Sequence, residues 1–271
     1  FRAFPSLPAP DAPADLGSVA LATRETRDAA RALERAGLNG VIAPGLDVAP
    51  PDAPAVDGQA FSSDPDQVSA YAAATVAQWR RAGFLSVAGH FPGLGSAGQP
   101  TDEGPAAVRS SMGQLTAMDL PPFRAAIRLG VPAVLLSLAA YAPDDFVTPG
   151  ALSRSIVTGL LRGRLGFHGI AMTDDLTSGA ITALMPVPQA AVQAVQAGAD
   201  IVWISGPASL QRQAYSAILA AVRARKIPQS RIDEAVIRIL AVKSELGLGS
   251  RPLPRVPKPA APGVAGTPGA P

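Results

Sequence analysis

The chain has no cysteine and only two histidines, His90 and His168, among its 271 residues. The first absence excludes disulfides and thiolate metal sites and leaves the redox compartment open. The second excludes a multi-histidine zinc centre, so no metal is expected. Charge is also scarce. Only 16% of the residues are charged and 48% are hydrophobic, a balance that suits a compact globular chain with a large core and not a disordered one. No run is long and apolar enough to cross a membrane. No signal peptide is visible at Phe1, and cytoplasmic and secreted locations both stay open. Basic residues are scattered among acids, without the clustered patch that nucleic acid selects. The net charge is +2, but residues 251–271 hold Arg251, Arg255 and Lys258 and no acid; taking those three charges away leaves −1.

What is present is a repeat of strand followed by helix. Residues 1–16, rich in Pro and Ala, read as an extended leading segment. Helical spacing runs from Thr23 to Ala36, with Gly37 as a stop, and again from Asp64-Pro65 to Arg81, closed by Gly83. Further helices are expected at Pro122–Leu129, at Ser153–Arg164 with Ser153 as N-cap, at Gln189–Ala197, at Ala208–Arg225 and at Arg231–Leu246. Apolar runs between them predict strands at Leu38–Ala43, Phe84–Ala88, Val131–Leu138, Phe167–Thr173 and Asp200–Ile204. Pro44–Ser63 and Gly93–Val108 read as long loops, the kind that carry function in barrel enzymes. Crossover helices force parallel pairing, so the class is α/β. The expected architecture is a TIM-type (β/α)8 barrel lacking its first strand–helix units in this chain: a closed barrel needs eight strands and five or six are legible, so either the barrel is incomplete or those units lie upstream of Phe1. One domain is expected over residues 1–250 and a Pro/Gly-rich flexible tail over 251–271.

Two segments concentrate the chemistry. Gly89-His90-Phe91-Pro92-Gly93-Leu94-Gly95 delivers a histidine to a strand end, and Thr173-Asp174-Asp175-Leu176 delivers a carboxylate pair to another. Reactive groups at strand C-termini mark the catalytic rim of a barrel. By pattern alone the aspartates fit a cap on the helix that follows better than a nucleophile, and His90 fits a buried histidine satisfied by backbone, although the Phe91-Pro92-Gly93 turn at a strand end favours a site. His168 opens its strand and belongs to the opposite rim. Asp144 and Asp145 read as loop caps, and Asp47 and Asp200 as holders of backbone at strand ends. Gly93-Leu94-Gly95-Ser96-Ala97-Gly98 mimics a dinucleotide fingerprint but follows no strand-to-helix turn of the required kind. No cofactor is implied.

The same two segments resemble motifs of glycoside hydrolase family 3, in particular its single-domain bacterial β-N-acetylglucosaminidases, some of which act in peptidoglycan recycling. Those carry Lys-His-Phe-Pro-Gly-His-Gly and a Ser-Asp-Asp-Leu-type nucleophile motif. Ala43-Pro44-Gly45-Leu46-Asp47-Val48, Phe61-Ser62-Ser63-Asp64-Pro65, Asp119-Leu120-Pro121-Pro122-Phe123 and Leu161-Arg162-Gly163-Arg164-Leu165-Gly166-Phe167 resemble other family segments in the same order, over roughly residues 1–248. The resemblance implies a retaining β-N-acetylhexosaminidase-like enzyme acting on amino-sugar or cell-wall glycans. It implies Asp174 as nucleophile, Asp175 as a cap or structural partner, and His90, Phe91 and Gly93 at the substrate, with Gln59 where the family has an arginine. The departures are specific. Gly89 replaces the motif lysine, Leu94 its second histidine, and the loop Gln99-Pro100-Thr101-Asp102-Glu103-Gly104 has no acid/base histidine. Asp102, with Glu103 beside it, is the candidate acid/base, provided that a pocket raises its pKa. The alternative is a degenerate member that binds glycan or a partner without hydrolysis.

Overall fold

The computed structural model describes residues 13–50, 52–56 and 58–248. The leading residues 1–12 and the expected tail at 251–271 lie outside the described residues. Five strands form one parallel sheet: β1 (Gly40–Val41), β2 (Leu85–Phe91), β4 (Ala133–Leu136), β6 (Ile170–Asp175) and β7 (Ile201–Trp203), in the order β1-β2-β4-β6-β7. Two short strands, β3 (Ala107–Val108) and β5 (Ala140–Tyr141), pair with each other outside it. Strands that succeed one another in space and in sequence, joined by helices, make the TIM-like α/β arrangement expected. Among the described residues β1 and β7 are the two edges of the sheet.

The helices are α1 (Val19–Arg35), α2 (Pro65–Arg81), the short α3 (Met112–Gln114), α4 (Leu120–Arg128), the short α5 (Gly179–Thr182), α6 (Val187–Ala197), α7 (Ala208–Arg223) and α8 (Gln229–Glu245). Ser18 caps α1 by accepting from Leu21 N–H at 3.2 Å, and Asp64 caps α2 by accepting from Asp66 N–H at 2.8 Å. Each such cap is worth about 1 kcal/mol.

Strand residues alternate between the two faces of the sheet, as the two-residue repeat requires. Ala88, Val134, Leu136 and Ala171 share a core with Tyr71, Ala72 and Val76 of α2, Phe123 and Ala126 of α4, and Ala190, Ala191 and Ala194 of α6. Val87, Ala133, Leu135 and Ile170 point the other way, into a cluster with Ile239 and Val242 of α8 and Leu246 just after it. All four residues of β4 are therefore buried, the pattern of a strand covered on both faces.

Several elements differ from the sequence reading. The strand expected at Leu38–Ala43 pairs only over Gly40–Val41, because Leu38 N–H closes α1 by donating to Leu33 O at 3.0 Å and Pro44 has no N–H to donate. The strand expected at Val131–Leu138 ends at Leu136. The loop Gly93–Val108 ends in the paired strand β3. The helix over Ser155–Arg164 is wound as a π-helix, with Ser153 Oγ accepting from Ile156 N–H at 3.2 Å. The helical stretch from Met112 through a π-turn at Leu115–Asp119 was not expected, although Ser111 and Gln114 form a capping box there.

Candidate active site

The site is assembled at the C-terminal ends of β2 and β6. Past β1 the chain continues alongside β2: Gly89 N–H donates to Pro44 O at 3.2 Å and Leu46 N–H donates to Gly89 O at 2.6 Å. This track places Asp47 beside His90. Asp47 is 3% exposed, and its carboxylate accepts from His90 N–H at 3.2 Å and from Leu94 N–H at 2.7 Å. It also accepts from the ring, with His90 Nδ1 2.8 Å from Asp47 Oδ2. That bond fixes the imidazole and turns Nε2 towards Asp174, whose Oδ2 lies 3.8 Å away. Asp174 stands at the end of β6 with its side chain 14% exposed, and its Oδ1 accepts from Asp175 N–H at 2.8 Å.

The electrostatics follow from these contacts. Burial, the largest influence on His90, disfavours its charge. The charge and hydrogen bond of Asp47, then Asp174 and Asp102, together outweigh it and push the pKa up to about 9. His90 is therefore an imidazolium at neutral pH. Burial pushes Asp174 above the usual carboxylate range, His90 and the Asp175 N–H pull it back, and Asp102 adds repulsion. Asp175 behaves differently. Its Oδ1 accepts from Thr177 N–H and Ser205 N–H, each at 3.0 Å, and bonds to these residues outweigh burial and hold its pKa low. It ties the end of β6 to the loop after β7, whereas the N-cap of the following helix α5 is Ser178.

Asp102 belongs to a loop docked on the turn after β6. Its carbonyl accepts from Gly179 N–H at 3.0 Å, and that of Thr101 from Ala180 N–H at 2.9 Å. The Asp102 side chain is exposed, yet its charge acts on both His90 and Asp174.

Other expected site residues lie elsewhere. The Phe91 ring is fully buried and packs edge-on against Phe123 with centroids 5.2 Å apart, so its side chain serves the core and not a substrate contact. Gln59 lines a separate cavity of about 260 Å³ with Tyr71, Trp79 and Pro44, and makes no hydrogen bond to the His90–Asp174 pair. Gly93 has φ 129° and receives the Tyr141 hydroxyl on its carbonyl at 3.0 Å. A Cβ there would lie 2.5 Å from Cβ of Asp119. His168 is exposed and opens the turn before β6, at the far rim as expected.

Asp47 and Asp119 are the members that the sequence reading undervalued. Asp47 orients the histidine as well as holding backbone. Asp119 is 4% exposed, and burial followed by the neighbouring Asp47 pushes its pKa up to about 7. The available signal was a single carboxylate inside the otherwise apolar Leu46-Asp47-Val48. No group of three or more His, Asp or Glu residues able to hold a metal ion occurs among the described residues, and none of their helices is long and apolar enough to cross a membrane.

The family model described as "Glycosyl hydrolase family 3 N terminal domain" matches residues 1–242. An uncharacterized secreted glycosyl hydrolase of Arthroderma benhamiae is 35% identical over 230 residues, 83% of this chain and 65% of that protein. A β-hexosaminidase of Stenotrophomonas maltophilia is 32% identical over 190 residues, 70% of this chain and 56% of its own length. The chain thus spans under two thirds of both relatives. Among solved structures, a family 3 β-N-acetylglucosaminidase from Paenibacillus superposes with a TM-score of 0.86 at 30% identity, over 95% of this chain and 49% of that one. A β-N-acetylhexosaminidase from Beutenbergia cavernae gives 0.81 at 30% identity, over 89% of this chain and 73% of that one. By the match over residues 1–242, this chain belongs to glycosyl hydrolase family 3, as an N-terminal domain of that family.

Proposed function

We propose that this domain carries the nucleophile of a retaining β-N-acetylhexosaminidase that acts on amino-sugar or cell-wall glycans. The observation that carries the proposal is the placement of Asp174. It is a mostly buried carboxylate at a strand C-terminus, 3.8 Å from an imidazolium that Asp47 holds in place. In this mechanism Asp174 attacks the anomeric carbon. The bond from that carbon to the leaving oxygen breaks while an acid protonates the oxygen. Water then attacks the same carbon, releasing the ester of Asp174 and returning a proton to the acid, now acting as base. His90, with Nε2 directed at Asp174, opposes the effect of burial and favours its ionised form. Asp102 is the acid/base candidate, because its loop is docked on the turn that follows Asp174 and its charge reaches both partners.

The names of relatives support the substrate class: they include β-hexosaminidases and β-N-acetylglucosaminidases, one of them also named a β-glucosidase. The five-stranded sheet fits a barrel with further strands, since closure of an eight-stranded barrel would place them between β7 and β1.

Release of nitrophenol from aryl β-N-acetylglucosaminide and aryl β-glucoside tests the proposal. Turnover preferring the amino sugar, reduced on the order of 10³-fold or more by Asp174→Asn, is expected. Binding of a chitin oligosaccharide with no turnover of either aryl glycoside would support the degenerate, non-hydrolytic reading instead.

A further inference from the structure

A cavity of about 600 Å³ lies away from this site, between the helix over Ser155–Arg164, α6 and α8. Its lining charges are Arg154, Arg162, Lys226, Arg231 and Arg238, against the single acid Glu234. Behind them Asp200, whose side chain is fully buried, holds three of the guanidiniums: Arg162 Nη2 at 2.6 Å, Arg231 Nη2 at 2.5 Å and Arg238 Nη1 at 3.1 Å. One carboxylate cannot neutralise three cations. Glu234, 2.9 Å from Arg231, offsets one more but is itself 55% exposed. With Arg154 and Lys226 the wall keeps a formal excess of three positive charges. The excess is felt inside the cluster. The Arg162 pKa falls to about 10, chiefly through burial, with Arg238 and Arg231 adding to the fall against the opposing pull of Asp200. The 17-residue helix α8 begins at the same cavity after Pro228, with no side-chain cap, so its positive end adds to the field.

A structural network needs Asp200 and the arginines, but it does not need a cavity. Nor does it need Arg154 and Lys226, which are exposed and enter none of the salt bridges. A volume of this size falls in the range of small-molecule sites, and guanidinium groups match the oxygens of tetrahedral oxyanions. We propose that this cavity is a binding site for a phosphate-class dianion, separate from the catalytic end of the sheet. Free inorganic phosphate and a small organic phosphate such as a hexose phosphate share the chemistry. The inference does not depend on the glycosidase reading.

Calorimetric titration of the full chain with inorganic phosphate and with glucose 6-phosphate, at an ionic strength fixed by sodium chloride, tests it. Saturable binding of one equivalent is expected, weakened by about tenfold or more in the double variant Arg154→Ala/Lys226→Ala, as loss of charge-assisted bonds implies. Tighter binding of the hexose phosphate would place the organic group inside the cavity, and equal affinity would identify free phosphate as the occupant; both support the site. Phosphate also stabilises proteins by exclusion from their surface. No saturable heat, or binding that the double variant leaves unchanged while circular dichroism shows it folded, would overturn the proposal.

Discussion

Replacing Asp47 by Asn should remove most of the pH dependence that His90 confers on stability. His90 is lifted from an ordinary 6.5 to about 9, with Asp47 the largest upward influence. A lift of that size corresponds to about 3 kcal/mol in favour of the charged ring, at roughly 1.4 kcal/mol for each pH unit. The ring is only 21% exposed, so solvent screening takes a small part of this. The folded pKa lies above the unfolded one, so the stabilisation is fully present below pH 6.5 and is lost as pH rises from 6.5 through about 9. Asn keeps an oxygen for the Leu94 N–H but has no charge. Burial then dominates and the His90 pKa drops towards or below 6.5. With only two histidines in the chain, His168→Gln leaves one imidazole signal to follow by NMR. A midpoint near 9 that falls on Asp47→Asn is expected, along with urea stability that declines between pH 6.5 and 9 in the parent and stays nearly flat in the variant. A parent midpoint at or below 6.5 would refute the buried ion pair, and with it the orientation assigned to Nε2.

Other substitutions test other parts of the same reasoning. Gly93→Ala sets a Cβ 2.5 Å from that of Asp119 at a φ of 129°, and should cost about 2 kcal/mol or more in chemical denaturation; a neutral effect would mean that the turn is not held as described. Asp200→Asn leaves three guanidiniums without their shared carboxylate and should cost about 3–5 kcal/mol, which a thermal melt reads directly. Asp119→Asn should act in the opposite direction. A carboxyl whose folded pKa is raised from 3.8 to about 7 loses stability as pH climbs through that interval, on the order of 4 kcal/mol in all. The variant should therefore match the parent near pH 4 and exceed it at pH 8, and a less stable variant at pH 8 would contradict the assignment.

Much of the fold was legible because its signals are local. The apolar run of β4 and the proline and cap that open α2 are written in adjacent residues, and the structure repeats them within a few positions. The ends of the strands were less legible, because pairing partners decide them. Leu38 carries a strand-like side chain, but its N–H is already committed to α1. At the site, the motif made His90 and Asp174 visible. The Asp47–His90 bond joins residues 43 positions apart and exists only through the parallel pairing of two strand ends. Phe91 is the converse case: the motif suggests a place at the substrate, and its ring lies in the core.

That distinction also bears on the departures from the family motif. Leu94 stands where relatives are expected to have histidine, yet its backbone N–H donates to Asp47 at 2.7 Å, and a main-chain donor does not depend on the side chain. Gly89 is another matter. A Cβ at residue 89 would lie 2.7 Å from Cβ of Leu135, so the place of the missing lysine is closed by the core as it is packed here. The ion pair that Asp174 makes among the described residues is with His90 alone. The nucleophile assigned to this chain therefore rests on one cation, itself held charged by Asp47 from the far side of the ring. Under the proposed mechanism Asp47 is a positioning residue. Its loss should reach Asp174 through His90, raising the pH at which the carboxylate becomes protonated and shifting the acid limb of any activity upward.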